Sequence, residues 1–157
     1  MLREPRERVS PRARSMWLVG CLGEGLLTLA VLVGVAIGWD FPGRWWVVGA
    51  AAVVTVGYAA VVPRWRYLVH RWEVSDNAVY TQTGWWVRER RIAPMSRIQT
   101  VDYAEGVLSR LFGLATVTVT TASAAGAVKI EGLDRGLAQQ LVDELTLKAD
   151  AVEGDAT

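Results

Sequence analysis

Residues 16–38 read MWLVGCLGEGLLTLAVLVGVAIG and residues 45–62 read WWVVGAAAVVTVGYAAVV, and these two runs decide the architecture of the chain. The first holds one charged residue, Glu24, and the second holds none. Each approaches the roughly 20 residues that a helix needs to cross about 30 Å of hydrocarbon. In that medium the backbone must satisfy its own hydrogen bonds, so both runs are expected as helices. Trp39-Asp40-Phe41-Pro42-Gly43-Arg44 supplies the turn between them. The sequence thus predicts a transmembrane hairpin over residues 16–63, with helices near 16–38 and 45–62, and a soluble module over residues 66–150.

Flanking charge gives the orientation. Arg3, Arg6, Arg8, Arg12 and Arg14 stand in a basic tail, residues 1–15, and Arg64, Arg66 and Arg71 follow the second run. The turn contributes only Arg44. The positive-inside bias then places both termini in the cytoplasm, in a multi-pass protein of the cell (inner) membrane. Trp17, Trp39, Phe41, Trp45, Trp46 and Trp65 lie near the expected interfaces, where amphipathic rings settle. A cleaved signal peptide is the competing reading, but its apolar core is only about 7–15 residues long, and the first run exceeds that.

Composition agrees with a hairpin plus one small domain: 157 residues, 52% of them apolar. The net charge of +1 conceals a basic start and an acidic end, which carries Asp134, Asp143, Glu144, Asp150, Glu153 and Asp155. A nucleic-acid binder would concentrate positive charge on its folded domain, so none is expected as a partner. Cys21, the single cysteine, falls inside the first run, which excludes an intrachain disulfide or a cysteine metal site. Residues 151–157 are expected to be a disordered tail.

Glu24 is the odd residue of the hairpin, because an ionised carboxylate costs a few kcal/mol at such depth. Counting down the antiparallel partner brings Thr55 and Tyr58 near its level. A hydrogen bond from Glu24 to Thr28, Thr55 or Tyr58 that pins the two helices is the structural expectation. A proton or ion relay would want a second ionisable group, and the second run has none. Gly34 and Gly38 have the spacing of a close helix approach, a weak signal by itself.

Beyond the membrane the period changes. Residues 67–74 are β-prone and end at the turn Ser75-Asp76-Asn77; residues 78–83 make a second strand that stops at Gly84. Residues 85–92 alternate as a half-exposed strand until Pro94. Residues 98–103, 116–121 and 128–130 read as further strands, with a helical turn at residues 107–113 and a flexible stretch at 122–126. Short strands with frequent turns argue for a curled antiparallel sheet or barrel. One helix then closes the module: Asp134 is a good N-cap, and Leu137, Ala138, Leu141, Val142, Leu145 and Ala149 share a face.

The segment Arg91-Ile92-Ala93-Pro94-Met95-Ser96-Arg97-Ile98-Gln99-Thr100-Val101 resembles the characteristic stretch of bacterial pleckstrin-homology-like (PH-like) domains. So does Leu108-Ser109-Arg110-Leu111-Phe112-Gly113-Leu114-Ala115, followed by Val117-Thr118-Val119 and Thr121-Ala122. The order of these motifs behind a two-helix hairpin resembles the YdbS-like family of membrane proteins, over about residues 16–149. The resemblance implies a bent seven-stranded antiparallel barrel capped by a C-terminal α-helix. It makes Arg97, Gln99, Arg110 and Gly113 motif positions, and it implies no catalytic activity.

In lipid-binding PH domains the loop between the first two strands typically supplies bases for phosphates. The matching turn here, Ser75-Asp76-Asn77, has an acid and no base, which speaks against a phosphoinositide pocket. Arg64, Arg66, Arg71, Arg88, Arg90 and Arg91 remain candidates for nonspecific contact with anionic headgroups, each worth about 1 kcal/mol near the surface. The plainer reading of Arg88, Arg90 and Arg91 is the solvated side of a strand. Arg97 and Arg110 suit structural roles beside Asp102 and Glu105. Trp85 and Trp86 suit either a bilayer anchor or a division between core and rim.

Catalysis is not expected. His70 is the single histidine, at the membrane edge, where it reads as a polar surface residue, and neither a phosphate-cradling motif nor a metal-ligand cluster is present. No cofactor and no small-molecule substrate is implied. The sequence reads as a membrane-anchored cytoplasmic interaction module whose partners are the lipid bilayer and other membrane proteins or a second copy. The alternatives are anionic-lipid sensing through the juxtamembrane arginines, or an accessory role in a transporter or envelope-stress system.

Overall fold

The computed structural model describes residues 4–122 and 126–154. Arg3, Asp155 and the end of the expected tail lie outside the described residues, as does most of the stretch expected to be flexible.

Two long helices form the hairpin: α1, Arg12–Gly38, and α2, Arg44–Val69. At 1.5 Å per residue each is about 40 Å long, longer than the hydrocarbon alone requires. The surplus is at the end next to the domain. The first turns of α1 and the last turn of α2 leave the apolar stretch and enter the domain. Pro63 lies inside α2, where its missing N–H costs one helical hydrogen bond. The helix nonetheless continues through residues 64–69, of which 67–69 were expected to begin a strand. Packing decides this: Val69 is buried, and the Arg66 guanidinium lies 4.5 Å over the Trp17 ring of α1.

Among the glycines of the hairpin, Gly25 meets the partner helix, where the Thr55 side chain occupies the space a β-carbon would need. Gly34 and Gly38 have no such neighbour, so they are not the approach point. Glu24 points away from the seam and is exposed. Its backbone carbonyl accepts a hydrogen bond from Thr28 Oγ1 at 2.9 Å, while its carboxyl reaches neither Thr55 nor Tyr58. The expected pin is therefore replaced by small-residue packing one position along.

The domain consists of two antiparallel sheets and two helices. The first sheet has the order β1 (Glu7–Arg8), β2 (Arg71–Val74), β3 (Ala78–Thr83) and β4 (Glu89–Pro94). A 3₁₀ turn, Met95–Arg97, leads to the second sheet, β5 (Ile98–Ala104), β6 (Leu114–Thr121) and β7 (Val128–Asp134). A short helix α3, Val107–Leu111, joins β5 to β6, and α4, Arg135–Gly154, completes the chain. The sheets remain two separate ladders, so the expected closed barrel is corrected to a split, PH-like pair. Arg91 helps to bridge the gap, donating from Nη1 to the carbonyl of Ala127 at 3.0 Å.

Alternation carries the core. In β6, Ala115, Val117, Val119 and Thr121 are buried while the residues between them are not, as a strand with period 2 requires. They meet Val79 and Ala93 from the first sheet and Ala138, Leu141 and Leu145 from α4. Leu137, expected on the same helix face, is turned out. The helix runs on to Gly154, past the domain end expected at residue 150.

The basic tail is the largest departure from expectation. Glu7 and Arg8 pair with Trp72 and Arg71 as an edge strand. Val9, Ala13, Met16 and Trp17 are buried in the same core as the sheets. Ser10 N–H donates to the carbonyl of Gly132 at 2.8 Å, and Ser10 Oγ donates to Asp134 Oδ1 at 3.1 Å. Residues 7–17 thus belong to the domain as well as to the hairpin.

Candidate functional site

A cleft of about 430 Å³ opens where α2 meets the sheets. Arg66 and His70 form its helical wall, Thr81, Thr83, Trp85, Glu89 and Arg91 come from β3, β4 and their connection, and Lys129 and Glu131 come from β7. The strand alternation that buries Val128 and Ile130 turns Lys129 and Glu131 outward into this space. Arg66 pairs with Glu131 at 3.4 Å, and Arg91 pairs with Glu89 at 2.6 Å. Lys129 makes no ion pair among the described residues, so these walls carry one more positive than negative side chain.

His70 caps the end of α2. Its N–H and its Nδ1 both bond the carbonyl of Arg66 at 2.8 Å; a carbonyl only accepts, so Nδ1 carries the proton. The ring is buried and packs 4.9 Å from Trp17, so the sequence reading of a surface histidine is corrected. Burial, and after it the Arg66 guanidinium, hold the imidazole below its ordinary value, against the opposing Arg66 hydrogen bond and Glu131. A neutral histidine follows, suited to structure.

The candidate headgroup arginines divide. Arg66 and Arg91 line the cleft in ion pairs, and Arg90 and Arg71 face Glu4 at 2.9 and 4.0 Å. Among the described residues Arg64 and Arg88 have no acidic partner, and Arg64 shares a crevice with Arg14, Leu18 and Ala59 at the base of the hairpin. Glu4 escaped the sequence reading because nothing local signals that an N-terminal arm will fold back 86 residues away onto Arg90.

The motif residues lie in and around the second sheet: Arg97 ends the 3₁₀ turn, Gln99 is in β5, Arg110 is in α3, and Gly113 directly precedes β6. Gln99 sits in a bulge, since Ile98 faces Thr121 while Thr100 faces Thr120. Arg110 lies 3.8 Å from Glu105, whereas Arg97 is exposed and takes part through its carbonyl, which accepts from Ala122 N–H at 3.0 Å. Glu105 also holds Arg135 at 2.8 Å and accepts a hydrogen bond from the Tyr103 hydroxyl. That hydroxyl and then Arg135 lower the Glu105 pKa, and α3 is tied to the start of α4 through the carboxylate.

A hairpin of long apolar helices that merges into a split antiparallel sheet and a terminal helix defines a membrane protein with a PH-like domain. The family model described as bacterial PH domain matches residues 19–149, and the chain belongs to that family. The chain is also 28% identical over 160 residues to the UPF0699 transmembrane protein YdbS of Bacillus subtilis (strain 168), a match that covers 99% of both chains. No solved structure matches it.

Proposed function

We propose that this protein is a membrane-anchored interaction module that holds its PH-like domain against the inner face of the membrane for contact with another protein or a second copy. Both long helices cross the bilayer in this reading, with both termini cytoplasmic and the Asp40 turn outside, in keeping with the arginines at the inner ends. The observation that carries the reading is the outer edge of β5. The strand ends the three-stranded sheet, no described strand pairs with its other side, and Gln99, Thr100 and Asp102 are exposed there. Such an edge accepts an added strand through backbone hydrogen bonds. No catalysis, nucleic acid or small-molecule substrate enters the reading.

Lipid sensing through the arginines is the second reading. It is favoured by Arg64 and Arg88, which lack acidic partners among the described residues, and disfavoured by Arg66, Arg71, Arg90 and Arg91, which have them. A photo-crosslinking residue at Thr100 in native membranes tests the first reading. The expected result is one protein adduct of defined size, absent when the same residue replaces Leu147. Adducts to lipid alone, or none, would count against it. Labelling of Asp40→Cys, but not Leu147→Cys, by a membrane-impermeant thiol reagent on intact cells tests the orientation.

A further inference from the structure

Two exposed apolar projections of the domain flank the hairpin at one depth. The first is the β3–β4 connection, where Trp86 and Val87 are 84% and 70% exposed. Its base is fixed: Gly84 has φ +115°, the Val87 carbonyl sits in the space a β-carbon there would need, and Trp85 meets Tyr58 of α2 edge-on at 5.6 Å. The second is α3, where Val107 and Leu111 are 82% and 76% exposed. It is held against α1, with Leu108 Cδ1 3.9 Å from where a β-carbon on Gly20 would stand, and Ser109 Oγ 3.5 Å from Met16 Sδ.

Gly20 and Tyr58 are level. Arg14 and Arg64 line one crevice, and each anchor point lies six residues further along its helix, about 9 Å toward the membrane centre. Counting about 30 Å of hydrocarbon inward from Gly38 brings its inner boundary close to Leu18 on α1, below both anchor points. Water-facing placement would leave two separate apolar groups solvated on opposite sides of a structure already committed to lipid. Placement at the boundary buries both, with tryptophan at the depth it favours.

We infer that the domain itself enters the inner leaflet, with the tip Trp86-Val87 and the α3 face Val107-Leu111 among the acyl chains on either side of the hairpin. The occupant of these surfaces is lipid, because they are continuous with the lipid-facing sides of α1 and α2. The cleft lined by Arg66, Arg91 and Lys129 adjoins the base of the first projection at Gly84 and Trp85. The inference rests on the reading of α1 and α2 as membrane spans.

Single cysteines in the full chain, in a Cys21→Ala background, test it. Positions Val31, Val87, Leu111 and Leu147 each carry a polarity-sensitive fluorophore, and the protein is reconstituted into phosphatidylethanolamine–phosphatidylglycerol liposomes with nitroxide-labelled acyl chains. Leu147 is the aqueous control, because Lys148 beside it pairs with Asp76 at the end of β3 remote from Trp85. The expected result is loss of emission at Val87 and Leu111 comparable to that at Val31, with no loss at Leu147. Quenching at Val31 alone overturns the inference and leaves the spans standing. No quenching at Val31 removes the spans and the inference together. Trp86→Cys and Val107→Cys repeat the measurement if either first label disturbs folding. Protection at Val87 in native membranes but not in protein-free liposomes would assign the surface to a protein and also overturn it.

Discussion

The Cβ of Ala13, in the first turn of α1, lies 2.7 Å from the place a β-carbon would take on Gly132 of β7. That approach joins the hairpin to the sheet, and Gly132 also carries φ +78°, a conformation that other residues adopt at a cost. Gly132→Ala meets both obstacles, a helix that would have to move and a strained backbone. We expect a loss of about 2–4 kcal/mol, with the cost divided between overpacking and the left-handed backbone. Thermal unfolding in detergent, followed by near-ultraviolet circular dichroism, measures it; an unchanged midpoint would show that α1 does not bear on β7.

Removing residues 1–10 should unfold the domain and spare the hairpin. The deletion strips β1 and Val9, exposes Trp72 at the new sheet edge, and takes Ser10 from Gly132 and Asp134. A protease added to detergent-solubilised protein should then digest the region after residue 70 while a helical fragment survives. For the same reason residues 66–150 expressed alone should not fold. A cooperative unfolding transition in that fragment would contradict the shared core.

His70 makes stability depend on pH. Its folded pKa lies below the ordinary 6.5, so the unfolded chain takes up the proton first as pH falls. The full contribution is present above 6.5 and is lost as pH falls through the lowered folded value. His70→Gln should be less stable than the parent at about pH 7.5, with a difference that shrinks by about pH 5.5, the window in which an imidazole titrates. Chemical denaturation at the two pH values checks this. A constant difference would mean that the imidazole titrates alike in the folded and unfolded chain.

Trp72 and Trp17 are both buried, yet they should respond differently to truncation. The indole N–H of Trp72 has no acceptor among the described residues, so Trp72→Phe relieves an unmet donor while it loses some packing. A change within about 1 kcal/mol is expected. Trp17 instead lies under the Arg66 guanidinium and against the tilted His70 ring, and Trp17→Ala should cost about 3–5 kcal/mol. Equal effects of Trp72→Phe and Trp17→Ala in the same denaturation assay would refute the distinction.

Much of this organisation was legible because its signals are local. The apolar runs, the turn Ser75-Asp76-Asn77, the alternation of β6 and the stripe on α4 are periodicities that a linear reading detects. The errors came where a distant partner overrides a local preference. Residues 67–69 are β-prone but remain helical because α2 packs on Trp17. The arginine-rich start looks like a soluble tail but supplies an edge strand, since β2 leaves that side of the sheet open. The site was legible only as a set of residue types. Which arginines meet Glu4, Glu89 or Glu131 depends on strand register, and a one-residue shift would reverse it.

Arg66 and Trp17, one above the other where the two rods leave the apolar stretch, have a mechanical meaning. No linker separates hairpin from core: α1 is already core at Ala13, and α2 passes into β2 through His70 alone. A swivel has nowhere to form. If the rods tilt to match a thinner or thicker bilayer, the sheets must turn with them, and the β5 edge turns too.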